Sequence, residues 1–115
     1  MTASITDHSL ILVHTTCADA GAARALADRL VAERLAACAS FGPGVTSVYP
    51  WAGRIETADE VALALKTTRA RFAALAERLR ALHAYEVPEL LAIPVIEHDN
   101  DYANWIIEWV HSDTA

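Results

Sequence analysis

The sequence predicts an α+β subunit of the split βαβ, ferredoxin-like kind, a four-stranded antiparallel sheet with two helices on one face and an extra C-terminal helix. Three observations predict it. Apolar residues switch between a period of two and a period near four in the order β-α-β-β-α-β-α. Ala52-Gly53-Arg54 marks a turn between the middle two strands. Finally, the first and fourth strands are apolar on both faces, so the sheet needs more cover than two helices give.

Each element has its own reason. Ser9 to Thr15 is a short apolar run suited to a strand buried on both sides. From Asp19 to Arg34 the pairs Ala22/Ala23, Leu26/Ala27 and Leu30/Val31 recur every four residues, while Arg24, Asp28, Arg29 and Glu33 fall elsewhere, as an amphipathic helix requires. Thr16 and Asp19, three apart, read as its capping box. Ala36 to Phe41 is a strand, Gly42-Pro43-Gly44 a bend and Val45 to Trp51 strand again; Pro43 has no N–H for a ladder, so a kink or bulge is expected. Asp59 to Thr67 alternates Val61, Leu63 and Leu65 against Ala62, Ala64 and Lys66, and forms the hairpin partner. Thr68 reads as the N-cap of a second helix with the stripe Phe72, Leu75, Ala76, Leu79 and Leu82, running to about His83. Leu90 to Glu97 is the fourth strand, with Pro94 placing it at an edge or a bulge. Asp99-Asn100-Asp101 caps the last helix, which carries Tyr102, Trp105, Ile106, Trp109 and Val110 on one side.

With 115 residues, 54% hydrophobic and 21% charged, the chain makes one domain over 1–115, its core about 9–111 and residues 1–8 a flexible tail. Nine basic against fifteen acidic residues give a net charge of −6, and the basic ones are scattered, which excludes a nucleic-acid binder. No apolar run approaches the roughly 20 residues of a membrane span. Residues 1–8 carry no basic segment followed by a long apolar one, and the two cysteines suit a reducing compartment, so the expected location is the cytoplasm. The 24 alanines put much of the apolar fraction into small side chains. Ala62 and Ala64 lie opposite the bulky face of their strand, where small residues let another backbone approach. A closed homo-oligomer that buries the second sheet face is the natural solution.

Five segments then carry a resemblance. They are Leu30-Val31-Ala32-Glu33-Arg34-Leu35-Ala36-Ala37-Cys38, Ser47-Val48-Tyr49-Pro50-Trp51-Ala52-Gly53-Arg54, Leu65-Lys66-Thr67-Thr68, His83-Ala84-Tyr85-Glu86-Val87-Pro88-Glu89-Leu90 and Asp101-Tyr102-Ala103-Asn104-Trp105. In order and spacing, over roughly Leu10 to Val110, they resemble the CutA divalent-cation tolerance proteins. The resemblance implies a homotrimer of ferredoxin-like subunits, tolerance of copper and other divalent metals, and weak metal binding without an organic cofactor. Against the family pattern, Ala84 stands in place of a proline, Arg54 of a lysine and Ser40 of an asparagine. Thr15 occupies the position of a cysteine implicated in copper binding in some members.

His83 is the sharpest metal candidate, since a neutral imidazole binds copper, zinc and nickel and this one stands beside Tyr85, Glu86 and Glu89. Its other use is to close the last turn of its helix. Cys17, expected in the strand-to-helix loop just before Asp19, is the second candidate, because a helix N-terminus favours thiolate; its other, plainer use is as a small loop residue next to the cap. Cys38, inside a strand, reads as packing. If a partner subunit covers the sheet, the Lys66 ammonium needs a carboxylate or an anion, with Glu60, Glu86 and Glu89 as possible partners. Tyr49, Trp51, Lys66, Tyr85, Glu86 and Glu89 would then line an inter-subunit pocket. No nucleophile elbow, phosphate-cradling glycine loop or His-Glu-x-x-His occurs, so no enzyme is expected. The alternative is a PII-like trimeric sensor or interaction module that binds a small anionic ligand in an inter-subunit cleft.

Overall fold

The computed structural model describes residues 8–112; residues 1–7 of the expected tail lie outside them. The elements are β1 (Leu10–Cys17), α1 (Ala20–Ala32), β2 (Cys38–Trp51), β3 (Arg54–Thr68), α2 (Phe72–Leu82), β4 (Leu91–Pro94) and α3 (Asn100–Val110). The strands form one antiparallel sheet in the order β2-β3-β1-β4, the predicted ferredoxin-like arrangement.

Alternation along the strands divides the core in two. Ile11 and Val13 of β1 and Val61, Leu63 and Leu65 of β3 pack with Leu26 and Leu30 of α1 and Leu75 and Leu79 of α2. On the opposite face Leu10 meets Ala37 and the Ala103, Ile106 and Val110 stripe of α3. Thus α3 covers one end of the second face. The predicted stripe is shifted, because Tyr102 and Trp105 turn outward and stack with ring centres 5.7 Å apart. As predicted, Asp99 caps this helix, its Oδ2 accepting from the Tyr102 N–H at 3.0 Å.

Helix α1 is capped by Asp19, whose Oδ1 accepts from the Ala22 N–H at 2.8 Å. The expected capping box is corrected: Thr16 lies within β1, paired with Ala62, and is unavailable to the helix. Beyond the C-terminal end Arg34 adopts a φ of 61°, where glycine is usual. Its side chain explains the choice. The guanidinium lies 3.8 Å from the centre of the Trp109 ring and donates to the Trp109 carbonyl, while Trp109 Nε1–H donates to the Val31 carbonyl at 2.9 Å. This clamp ties α3 to the end of α1.

Strand β2 runs through the bend, with a register shift between Phe41 and Gly44 where Pro43 cannot donate. A two-residue turn with φ of 52° at Ala52 and 77° at Gly53 joins it to β3, as a type I′ hairpin demands. Because this turn is so short, β3 starts at Arg54 rather than Asp59; its exposed, mostly polar first residues hide the ladder from the hydrophobic pattern. The β2–β3 ribbon outruns the sheet. β1 stops at the Cys17–Val61 pair, and seven further pairs, from Val45–Glu60 to Trp51–Arg54, have no third strand beside them among the described residues.

Thr68 does not cap α2. Its hydroxyl bonds Nε2 of His111 at 2.8 Å, and a single 3₁₀ turn at Arg69–Arg71 leads into the helix. Strand β4 is a short edge strand that pairs with β1 over Ile11–His14 and ends at Pro94, as a residue without a donor favours.

Candidate functional site

Beyond His14, where β4 no longer accompanies β1, the segment after α2 comes alongside. His83 follows the last residue of α2, and its Nε2 lies 2.7 Å from the Thr16 carbonyl. The Tyr85 N–H donates to His83 Nδ1 at 3.0 Å. With Nδ1 accepting, the two partners assign the proton to Nε2, which donates to Thr16. The ring is neutral and both nitrogens are engaged.

Two further bonds fasten the segment. The Tyr85 hydroxyl donates to Glu60 Oε2 at 2.7 Å, and Glu89 Oε2 meets His14 Nδ1 at 2.9 Å. Glu60 is 7% exposed. Burial pushes its carboxyl up, but hydrogen bonds from Ser47, Tyr85 and Thr16 outweigh this and hold it below the usual carboxylate range. The Tyr85 phenol is raised well above its ordinary value, first by burial and then by donating to the Glu60 carboxylate.

Cys17 is the last residue of β1 and 2% exposed. The expectation of a loop thiol favoured as thiolate is therefore corrected. Burial, then the charges of Glu60 and Asp19, push the thiol up, and the helix N-terminus that was to favour thiolate is instead satisfied by the Asp19 carboxylate. Cys17 and His83 nevertheless line one cleft of about 220 Å³, with Ala22, Leu26 and Arg29 on its walls.

Lys66 is elsewhere. Paired with Leu12 and Cys38, it sits six residues along β3 from Glu60, roughly 20 Å at strand rise. Its Nζ donates to Cys38 Sγ at 3.7 Å and lies 5.9 Å from the Tyr102 ring centre. Burial pushes the ammonium down, but Cys38 and Tyr102 more than compensate. Within one subunit, then, Lys66 stands apart from Glu60, Tyr85 and Glu89. Tyr49 and Trp51 lie exposed on the ribbon beyond β1, Tyr49 close enough to Tyr85 to add to its shift. Glu86 is exposed.

His14 is the member that sequence reasoning did not name, and Glu60 was named only as a possible partner of Lys66. Both lie on the strand face that carries Leu10, Leu12, Thr16, Ala62, Ala64, Lys66 and Thr68, where polar and apolar residues mix and no local pattern marks them. The arrangement binds a segment in place. The Glu60 carboxylate accepts from hydroxyl donors that keep it ionised. For a divalent ion the fit is incomplete: His83 offers no uncommitted nitrogen, Cys17 holds its proton, and among the described residues no three His, Cys, Asp or Glu side chains are grouped to hold a metal. Among them, too, no helix is long and apolar enough to cross a membrane.

Comparison with known proteins agrees with this architecture. The family model described as "CutA1 divalent ion tolerance protein" matches residues 11–109. The divalent-cation tolerance protein CutA of Thermus thermophilus is 46% identical over 86 residues, which cover 75% of this chain and 84% of that protein. Its Escherichia coli namesake is 45% identical over 96 residues, 84% of this chain and 86% of that one. The crystal structure of CutA from Xylella fastidiosa superposes with a TM-score of 0.86 at 39% identity, covering 91% of this chain and 99% of that chain. With most of its length matched in sequence and nearly all of its fold matched in space, the chain belongs to the CutA1 divalent ion tolerance protein family.

Proposed function

We propose that this chain acts as a cytoplasmic homotrimer that takes divalent cations weakly, copper foremost, and serves the response to metal ions by binding rather than by catalysis. The observation that carries the assembly is the second sheet face. Beyond the reach of α3 it leaves Leu91 56%, Ile93 47% and Trp51 53% exposed, an apolar surface of the kind subunits bury. Family membership supports the link to divalent ions. The cleft shared by His83 and Cys17 supports weak rather than tight binding, since an ion there must displace a hydrogen bond from His83 and a proton from Cys17. In this reading Tyr49, Trp51, Lys66, Tyr85, Glu86 and Glu89 would line a pocket that a neighbouring subunit completes.

Light scattering of the purified chain is expected to give about three times 12.4 kDa. A monomer at every concentration would refute the assembly. Copper titration by calorimetry is expected to weaken on His83→Ala combined with Cys17→Ser; unchanged affinity would remove that cleft from consideration.

One observation favours the second reading, an anion sensor of the PII-like kind. Among the described residues the half-buried Lys66 ammonium has no carboxylate at ion-pair distance, its contacts being a thiol and a phenol ring. A half-buried ammonium with no carboxylate beside it is a place where a small anion can bind. A rise in melting temperature with a small carboxylate or phosphate, abolished by Lys66→Met, would establish that reading.

A further inference from the structure

The cleft that Cys17 and His83 share is apolar along its length and charged at its ends. One wall is the face of α1 that carries Ala22, Ala25, Leu26 and Arg29, and the other is the end of α2 and the chain after it, Leu82 and Ala84. Alanines keep it open. At the Arg29 end the charge is positive. Arg29 donates from Nε to Glu33 Oε2 at 3.2 Å, and Arg78 takes the same carboxylate through both oxygens, Nε to Oε1 at 2.8 Å and Nη2 to Oε2 at 3.0 Å. One carboxylate thus serves two guanidiniums, and the Arg29 fork keeps further N–H groups for a second acceptor.

We propose that this cleft binds a short-chain monocarboxylate, its head on Arg29 and its apolar tail running along α1 toward Cys17. Size is the first argument. A volume of about 220 Å³ equals roughly seven waters at about 30 Å³ each, which suits a ligand of about eight non-hydrogen atoms. Ala22 and Arg29 stand seven residues apart on α1, about 10 Å at helix rise, comparable with such a molecule drawn out. Direction is the second. At the far end the Asp19 carboxylate caps α1, and the last carbonyls of α2 point toward His83, so both disfavour a second carboxylate there. Cys17 holds its proton and the His83 ring is neutral, so that end accepts a methyl group. The net charge of −6 opposes an anion only over distance, and salt screens it beyond roughly 8 Å, which leaves the two guanidiniums in control. The site needs neither a metal nor a second subunit, so failure of either reading leaves it standing.

The test is a titration of the full chain, freed of metal by a chelator, with sodium hexanoate, followed by the backbone amide resonances. Shifts are expected to saturate in the millimolar range open to so small a ligand and to gather at residues 22–29 and 82–84. Each methylene added from butanoate to hexanoate is expected to tighten binding about two- to fourfold. Hexanamide has a similar tail without the charge and is expected to bind about tenfold more weakly. Arg29→Met removes the partner of the head at an exposed position, while Arg78 still holds Glu33, and is expected to cost about tenfold. Ala25→Leu fills the cleft from an exposed helix position and is expected to abolish the shifts. Lys66→Met is expected to change nothing, which separates this site from an anion site at Lys66. Unchanged affinity in Arg29→Met, equal binding of hexanamide, shifts gathered at Lys66 instead of along α1, or no saturable shift at about 20 mM hexanoate would each overturn the proposal.

Discussion

Glu60 shows what a single buried carboxylate can do for a loop. Three hydroxyl donors hold it ionised, and one of them, Tyr85, belongs to the segment being held. Glu60→Gln is expected to destabilise the fold by about 1–3 kcal/mol, and Tyr85→Phe by a similar amount. The double variant should cost less than the sum in a denaturant cycle, because the two side chains share one bond. Since the folded carboxyl is held below its ordinary 4.5, its contribution is complete above that value and is lost as pH falls through the lower, folded one. A stability profile of Glu60→Gln should therefore flatten in acid. The cysteines give a second expectation. Cys17 is buried with a raised thiol, Cys38 half-buried beside an ammonium, so iodoacetamide should label Cys38 first in the folded chain, as peptide mass spectrometry can read. The sequence made the neighbourhood of His83, Tyr85 and Glu89 visible because those residues are consecutive. It could not show that Glu60 would bond Tyr85 or that His14 would meet Glu89, because which segment crosses a strand end is decided by tertiary packing.

Elements were legible where a local rule acted alone. Period-two and period-four patterns located every strand and helix, Pro43 announced the bulge, and Asp99 announced a cap. Misreadings arose where one side chain had two possible partners. Thr16 and Thr68 have the sequence signature of caps, yet ladder pairing took the first and His111 the second. The hairpin tip carries the element-scale expectation. Ala52 holds a φ of 52° without the local hydrogen bonding that makes asparagine tolerant of that region. Ala52→Asn creates the Asn-Gly pair preferred in a type I′ turn. It should raise the thermal midpoint, with a gain of about 0.5–1 kcal/mol over alanine. A lower midpoint would show that the turn geometry is set by something other than its own two residues.

For the molecule as a whole, the second sheet face decides behaviour in solution. α3 protects the end near Leu10, while Leu91 and Ile93 of β4 stay open, next to a free edge. Leu91→Asp together with Ile93→Asp should turn the proposed trimer into monomer by light scattering while the circular dichroism of the subunit persists, since neither side chain belongs to the core. The melting temperature of the unaltered chain should rise with its concentration, as for any fold stabilised by association.

The ribbon of β2 and β3 has a further consequence. Its last seven pairs, about 24 Å of ladder at strand rise, stand without a third strand among the described residues, and an isolated two-stranded ribbon is marginal in water. Amide hydrogens from Val45 to Arg54 should therefore exchange with deuterium quickly in dilute protein and slowly in concentrated protein. Those of Val13 and Leu65, central in the sheet, should keep one slow rate throughout. For the proposed trimer the ribbon would thus be a gauge within the chain, its protection reporting how much of the protein has found its neighbours.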